Sequence, residues 1–212
     1  MKINEFIDSI GGPTILVFIG ALISAVGAVW AGIEQNRSSD ILASKNDKIA
    51  DLSREIANSI TGGSSACYIT PIGNSIDVAA LVSVGEYPLY DLSVRITDLD
   101  LMEQMRGQPV TFESMQLNEK NIDLGSLPPG SFRILGRGIL DIHGDSRRWN
   151  IFFCGRNGVF TQILRMKKVA GDWEMATKVQ RNDVGTDPKV EIIHERISEN
   201  FPRNEDGTVN WD

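Results

Sequence analysis

The run Thr14–Ile33, TILVFIGALISAVGAVWAGI, constrains this chain more than any other stretch. No charged residue occurs from Ser9 to Ile33. As a helix, at about 1.5 Å per residue, the run covers roughly the 30 Å hydrocarbon thickness of a bilayer. A helix apolar on every side needs cover on every side. No later segment looks able to wrap it, which sets aside a buried helix in a soluble domain. A secretory signal peptide wants a basic start and a shorter apolar core. Here Glu5 and Asp8 offset Lys2, the run is long, and Val29-Trp30-Ala31 is a weak cleavage site. The reading is a single transmembrane helix over residues 13–33, with Trp30 where aromatic rings favour the membrane interface.

Flanking basic residues set orientation. Lys2 alone precedes the span, whereas Arg37, Lys45, Lys48 and Arg54 follow it. That bias keeps the C-terminal side in the cytoplasm, in a single-pass protein of the inner membrane. Ahead of the span, Ile3, Phe6, Ile7 and Ile10 fall on one helical face. Residues 1–12 therefore read either as a short amphipathic segment in the membrane interface or as a frayed apolar tail. Gly11-Gly12-Pro13 separates them from the span.

Within the span, Gly20, Ser24, Ala28 and Gly32 recur every fourth position and share one face. Such small-residue seams let membrane helices approach closely, although Gly and Ala are also common in membrane spans generally. Residues 34–61 continue as a helical stalk. Leu42, Ile49 and Ile56 are seven apart with Leu52 between, while Lys45 and Ser59 break the pattern. A short parallel coiled coil fits this spacing, as does one amphipathic helix lying on the following domain. Together these eight positions (Gly20, Ser24, Ala28, Gly32, Leu42, Ile49, Leu52 and Ile56) form the expected oligomer interface. Residues 62–65 close the helix with glycine and read as a flexible linker. They lack the lysine and helix context of a phosphate-binding loop.

From Ala66 the helical period gives way to short runs rich in Val, Ile, Phe, Tyr and Trp: ACYITPI, IDVAALVSV, LYDLSVRIT, NIDLGSL, FRILGRGILDI, RRWNIFFC, VFTQILRMKKV and WEMATKV. They predict an antiparallel β-sandwich over residues 66–182, with a tight hairpin at Ala170-Gly171. LMEQM suits a short edge helix. Residues 183–212 read as an acidic tail with a short helix at VEIIHERI. The whole is an α+β organisation: a membrane helix, a stalk, then an all-β domain. Two segments, VSVGEYPLYDLSVRITD and IDLGSLPPGSFRILGRGILDI, resemble the strand pattern of immunoglobulin-like modules in bacterial proteins. The chain overall resembles bacterial single-span proteins with a small C-terminal β domain. The resemblance implies an immunoglobulin-like fold and carries no catalytic residues.

The net charge of −7 argues against nucleic acid as a partner. Cys67 and Cys154 are too few for a disulfide framework and read as buried free thiols. Asp141, His143 and Asp145 could hold a metal on a strand, but Gly144-Asp145-Ser146 reads as a turn that breaks their common face. His194 has no evident partner, and no serine lies in a nucleophile elbow. No catalytic residues, metal or cofactor are expected, and the chain does not read as an enzyme. Between Phe132 and Lys168, eight basic residues face two acidic ones. If the strands bring Arg133, Arg137, Arg147, Arg148, Arg156, Arg165 and Lys167 to one face, they would attract an anion. The alternative is a solvated face whose charges pair with the acidic segments. The expected function is a membrane-anchored, self-associating binding module, whose partners are membrane lipid, a second copy and either a protein or a small anionic ligand. The alternatives are a membrane effector regulated by an anion at the Arg-rich face and a catalytic β domain.

Overall fold

The computed structural model describes residues 12–72, 75–107, 119–182 and 190–212. The segment read as interfacial thus lies outside the described residues, except for Gly12. The chain divides into two compact units, Met1–Glu55 and Ile56–Asp212.

Helix α1 runs unbroken over Gly12–Thr61. Pro13 sits in its first turn, where a missing N–H leaves no hydrogen bond unmade. No Gly or Pro occurs between Ile33 and Thr61, so nothing interrupts the ladder as the apolar half passes into the charged half. The apolar half is long and apolar enough to cross a membrane, and none of it is buried within the chain. The helix stops at Gly62, whose φ of 101° is open to glycine and whose N–H caps the Asn58 carbonyl at 2.8 Å.

All strands pair antiparallel. Strands β1 (Ala66–Ile72), β2 (Ser75–Val84) and β5 (Phe132–Arg137) form one sheet in the order β1-β2-β5. Strands β3 (Leu89–Asp98), β4 (Glu119–Leu127), β6 (Ser146–Gly155), β7 (Gly158–Val169), β8 (Asp172–Asn182) and β9 (Val190–Ile197) form the other, in the order β4-β3-β6-β7-β8-β9. A short helix α2 (Leu99–Gln104) follows β3, capped by the Asp98 carboxylate. Strand β6 shows how sequence sets the faces. Arg147, Trp149, Ile151 and Phe153 are buried, whereas Arg148, Asn150, Phe152 and Cys154 alternate outward. Phe153 meets Phe160 of β7 across the ladder, with stacked rings 5.0 Å apart. Leu89, Leu92, Leu127, Leu140 and Leu164 join them, and Ile69 and Leu81 bring the smaller sheet into the same core.

Side chains fasten the two sheets where strands do not. The amide of Gln162, fully buried on β7, accepts from Ile69 N–H (2.8 Å) and donates to Ile69 C=O (2.7 Å) and Thr177 Oγ1 (2.9 Å). It thereby pairs the outer backbone edge of β1. At the opposite corner Arg133 of β5 donates to the Leu124 and Ser126 carbonyls of β4 at 2.5 and 2.6 Å.

Three expectations are corrected. The segment VEIIHERI is strand β9, not a helix. Its β-branched residues favour a sheet, and the free edge of β8 receives them with His194 opposite Val179. Residues 198–212 are not a free tail either, because Phe201 and Val209 are buried with Ala176 of β8 in a second small core that Trp211 packs against. Finally, residues 62–65 are not a loose linker: Gly62 and Ser65 are buried. The Ser65 carbonyl accepts from Asn157 at 2.7 Å and from Arg181 at 3.3 Å, and its hydroxyl accepts from Tyr87 N–H at 2.9 Å.

Candidate anion-binding groove

The basic residues expected on one face are dispersed. Arg133 and Arg137 lie on β5, in the three-stranded sheet. Arg156, in the β6–β7 turn, pairs with Asp91 at 2.7 Å and lies over the Tyr90 ring. Arg147 points inward, 4% exposed, bonded to Asp98 and lying 5.3 Å from the Trp149 ring centroid. Arg148, Arg165 and Lys167 alone stay together, on the outer face of the six-stranded sheet. Antiparallel pairing of β6 with β7 sets Arg148 opposite Arg165 and Ser146 opposite Lys167.

Most of this charge is already answered. Helix α2 and its cap present Asp98, Asp100 and Glu103 to the two adjacent arginines. Arg148 donates from Nε to Asp100 at 2.8 Å and from Nη2 to Glu103 at 2.5 Å, and its backbone N–H also reaches Asp100 at 2.8 Å. These bonds raise the Arg148 pKa and hold the Glu103 carboxyl below the usual carboxylate range. For Arg147 and Arg148, then, the paired alternative describes the arrangement.

Arg165 differs. It is 5% exposed, and among the described residues no carboxylate lies within 4.0 Å of it. Its guanidinium donates to the carbonyls of Trp149 (2.8 Å), Leu164 (3.1 Å) and Trp211, and to Asn150 Oδ1 (3.3 Å). It thus clasps residue 211 to the sheet without an ion pair of its own, Asp100 and Asp212 acting on it only from a distance. Burial first, and then repulsion from Arg148, pull its pKa down to about 10. Arg203 joins this group from the segment after β9, where a turn closed by Asn204 N–H to Thr208 C=O (2.8 Å) places it. Arg148, Arg165, Lys167, Arg203, Asn210 and Asp212 line a groove of about 330 Å³. A second open groove of about 490 Å³ lies over β3, β4 and β6, where Arg95 sits 4.7 Å from the Phe152 ring centroid beside exposed Cys154.

Sequence reasoning missed Arg203, because its segment was read as a tail. The signal was present: Phe201, Val209 and Trp211 around Asp206-Gly207 spell apolar anchors about a turn. Acidic α2 as the clip on Arg147 and Arg148 gives residues to the alternative in which the basic charges pair with the acidic segments. His143 contacts Asp141 at 3.3 Å and Arg147 at 3.0 Å, which gives it a place in the Arg147 network. Asp145 lies in the turn before β6. Among the described residues no group of three or more His, Cys, Asp or Glu is arranged to hold a metal. Cys67 is buried as expected, with its thiol pKa pushed up by that burial, but Cys154 is exposed, which corrects the expectation of two buried thiols. Among the eight interface positions, Leu42, Ile49, Leu52 and Ile56 are 49–61% exposed on α1, and a Cβ added at Gly20 or Gly32 meets nothing within 4 Å. Ser24 and Ala28 are exposed too.

No family model matches this chain, and neither a curated protein nor a solved structure is significantly similar to it.

Proposed function

We propose that the chain is a membrane-anchored, self-associating binding module, with an immunoglobulin-like β domain on the cytoplasmic side of the inner membrane. One observation carries this reading. Helix α1 leaves an apolar surface uncovered along its length, from Leu16 (70% exposed) and Phe18 (71%) through Trp30 (73%) to Leu42 (60%), Ile49 (61%) and Ile56 (60%). Lipid covers the first part. The stalk is too charged for lipid, and its row of seven-spaced apolar residues is covered by the same row of a second copy. The glycines at 20 and 32 serve no packing within the chain, which leaves them free for close approach between helices.

Strand order supports the immunoglobulin-like reading. The first, second and fifth strands form one sheet, and the fourth, third, sixth and seventh lie together in the other. That is the A-B-E and C′-C-F-G arrangement of such sandwiches, here lengthened by β8 and β9. Such domains commonly bind rather than catalyse, which is analogy at the level of fold.

The test is energy transfer between donor- and acceptor-labelled full chains in liposomes, titrated against lipid. The expected result is transfer that persists on dilution and falls in Ile49→Asp/Ile56→Asp. Transfer no greater than that of randomly distributed monomers overturns self-association. Sidedness has a built-in reporter in exposed Cys154: a membrane-impermeant maleimide should leave it unlabelled in intact cells and label it after lysis. A second reading, a membrane effector regulated by an anionic ligand, is favoured by the buried Arg165, which has no ion-pair partner among the described residues.

A further inference from the structure

We propose that the groove between the β6–β7 outer face and the segment after β9 binds a phosphate group, with Lys167 and Arg203 as its direct contacts and Arg165 as the buried charge beneath it. The proposal deepens the reading of the β domain as the binding part of the molecule.

Charge arrangement is the first ground. Arg148 and Arg165 stand directly opposite on neighbouring strands, an arrangement that costs stability unless an anion intervenes. Asp100 and Glu103 answer Arg148 from one side. Nothing among the described residues answers Arg165 at ion-pair distance, and it is one of the most buried charged groups in the domain. A buried cation held only by neutral carbonyls keeps its full charge and projects it into the adjoining low-dielectric groove.

Charge count is the second ground. Of the cations lining the groove, Arg147 and Arg148 are matched by Asp98, Asp100 and Glu103. Arg165, Lys167 and Arg203 remain, with only the Asp212 side chain lining the same groove. Counting the five cations against these four carboxylates leaves a net surplus of one positive charge, carried by the three cations that no carboxylate pairs with. A phosphate group, which carries at least one negative charge at neutral pH, meets it.

Free donors are the third ground. The Arg165 donors are all engaged by carbonyls, so it supplies field rather than contact. Lys167 is exposed and makes no side-chain hydrogen bond among the described residues, and Arg203 uses only Nη1, toward the Gly207 carbonyl at 3.2 Å. The amides of Asn204 and Asn210 line the same space. About 330 Å³ is at the small end of ligand sites and suits a compact phosphorylated molecule. The phosphate could belong to a free metabolite or to a lipid head group.

Pyrophosphate is the probe. Full-length chain in neutral-lipid nanodiscs is titrated with it by calorimetry, and its thermal midpoint is followed in parallel. Saturable binding and a raised midpoint are expected, with Lys167→Glu/Arg203→Glu losing at least about tenfold in affinity while its ligand-free midpoint stays near wild type. Should the double variant be unstable, Lys167→Ser alone serves, with a weaker loss expected. Discs containing anionic phospholipid separate the sources. If they block pyrophosphate, the groove takes a head group, and if they leave it unchanged, it takes a soluble phosphate. No saturable binding in neutral discs at millimolar pyrophosphate, or equal affinity in the variants, overturns the proposal. Such a failure leaves self-association standing, since that is read from α1 by energy transfer.

Discussion

Gln162 shows how much one polar side chain can hold in an apolar core. Its amide serves both backbone groups of Ile69 and the Thr177 hydroxyl, so it acts as a short stretch of missing strand. Gln162→Leu fits the space but leaves a buried N–H and C=O unpaired. It should lower the stability of the β domain by about 2–4 kcal/mol, measurable by denaturant unfolding. No sequence pattern marks this role, because a glutamine amid VFTQILRM reads only as an interruption. His194 is a second case. It stacks on Tyr68 with centroids 4.5 Å apart, and burial, followed by Arg196, lowers its pKa below the ordinary histidine range. The unfolded chain therefore binds this proton more readily than the folded one. The His194 contribution is complete above the ordinary histidine value of about 6.5 and is lost as pH falls from there through the lower folded value. Denaturation midpoints between pH 7 and pH 5 should fall less in His194→Phe than in wild type. An equal fall would show that other groups govern acid sensitivity.

At the scale of elements, α1 was legible from its long apolar run and most strands from their β-rich apolar runs. Strand β9 was not. VEIIHERI satisfies a helical and a strand pattern alike, and only the open edge of β8, a property of the tertiary fold, decides between them. The junction after α1 was misread for a similar reason. TGGSS looks flexible in isolation, yet Ser65 is fully buried and bonded by side chains from β8 and the β6–β7 turn and by a backbone N–H from the loop before β3. Gly85 is the tightest point. Its φ is 110°, and a Cβ there would stand 2.5 Å from Ser65 Oγ and 2.7 Å from Ser65 Cα. Because backbone cannot yield as a side-chain tip can, Gly85→Ala should cost at least about 2 kcal/mol. The control is Gly136→Ala. It carries a similar backbone preference at φ 107° but meets nothing within 4 Å, so the difference between the variants reports the contact with Ser65. The basic run between Phe132 and Lys168 shows the limit of charge counting. Its composition was plain, but which arginines face inward, which meet α2 and which stay unanswered depends on register and on a helix only six residues long.

For the molecule as a whole, the division into one long helix and a two-sheet domain follows from the change of hydrophobic period at Ala66. What the helix does with its uncovered surface is the central claim. Single cysteines introduced at Leu42, Lys45, Asp47, Ile49, Asp51 and Ile56, in a chain with Cys67 and Cys154 replaced, test it in native membranes. The expected result is disulfide crosslinking that peaks at positions 42, 49 and 56 and is weak at 47 and 51, the period of a stalk packed against its copy. Uniformly weak crosslinking, or crosslinking with no seven-residue period, would contradict self-association through this helix.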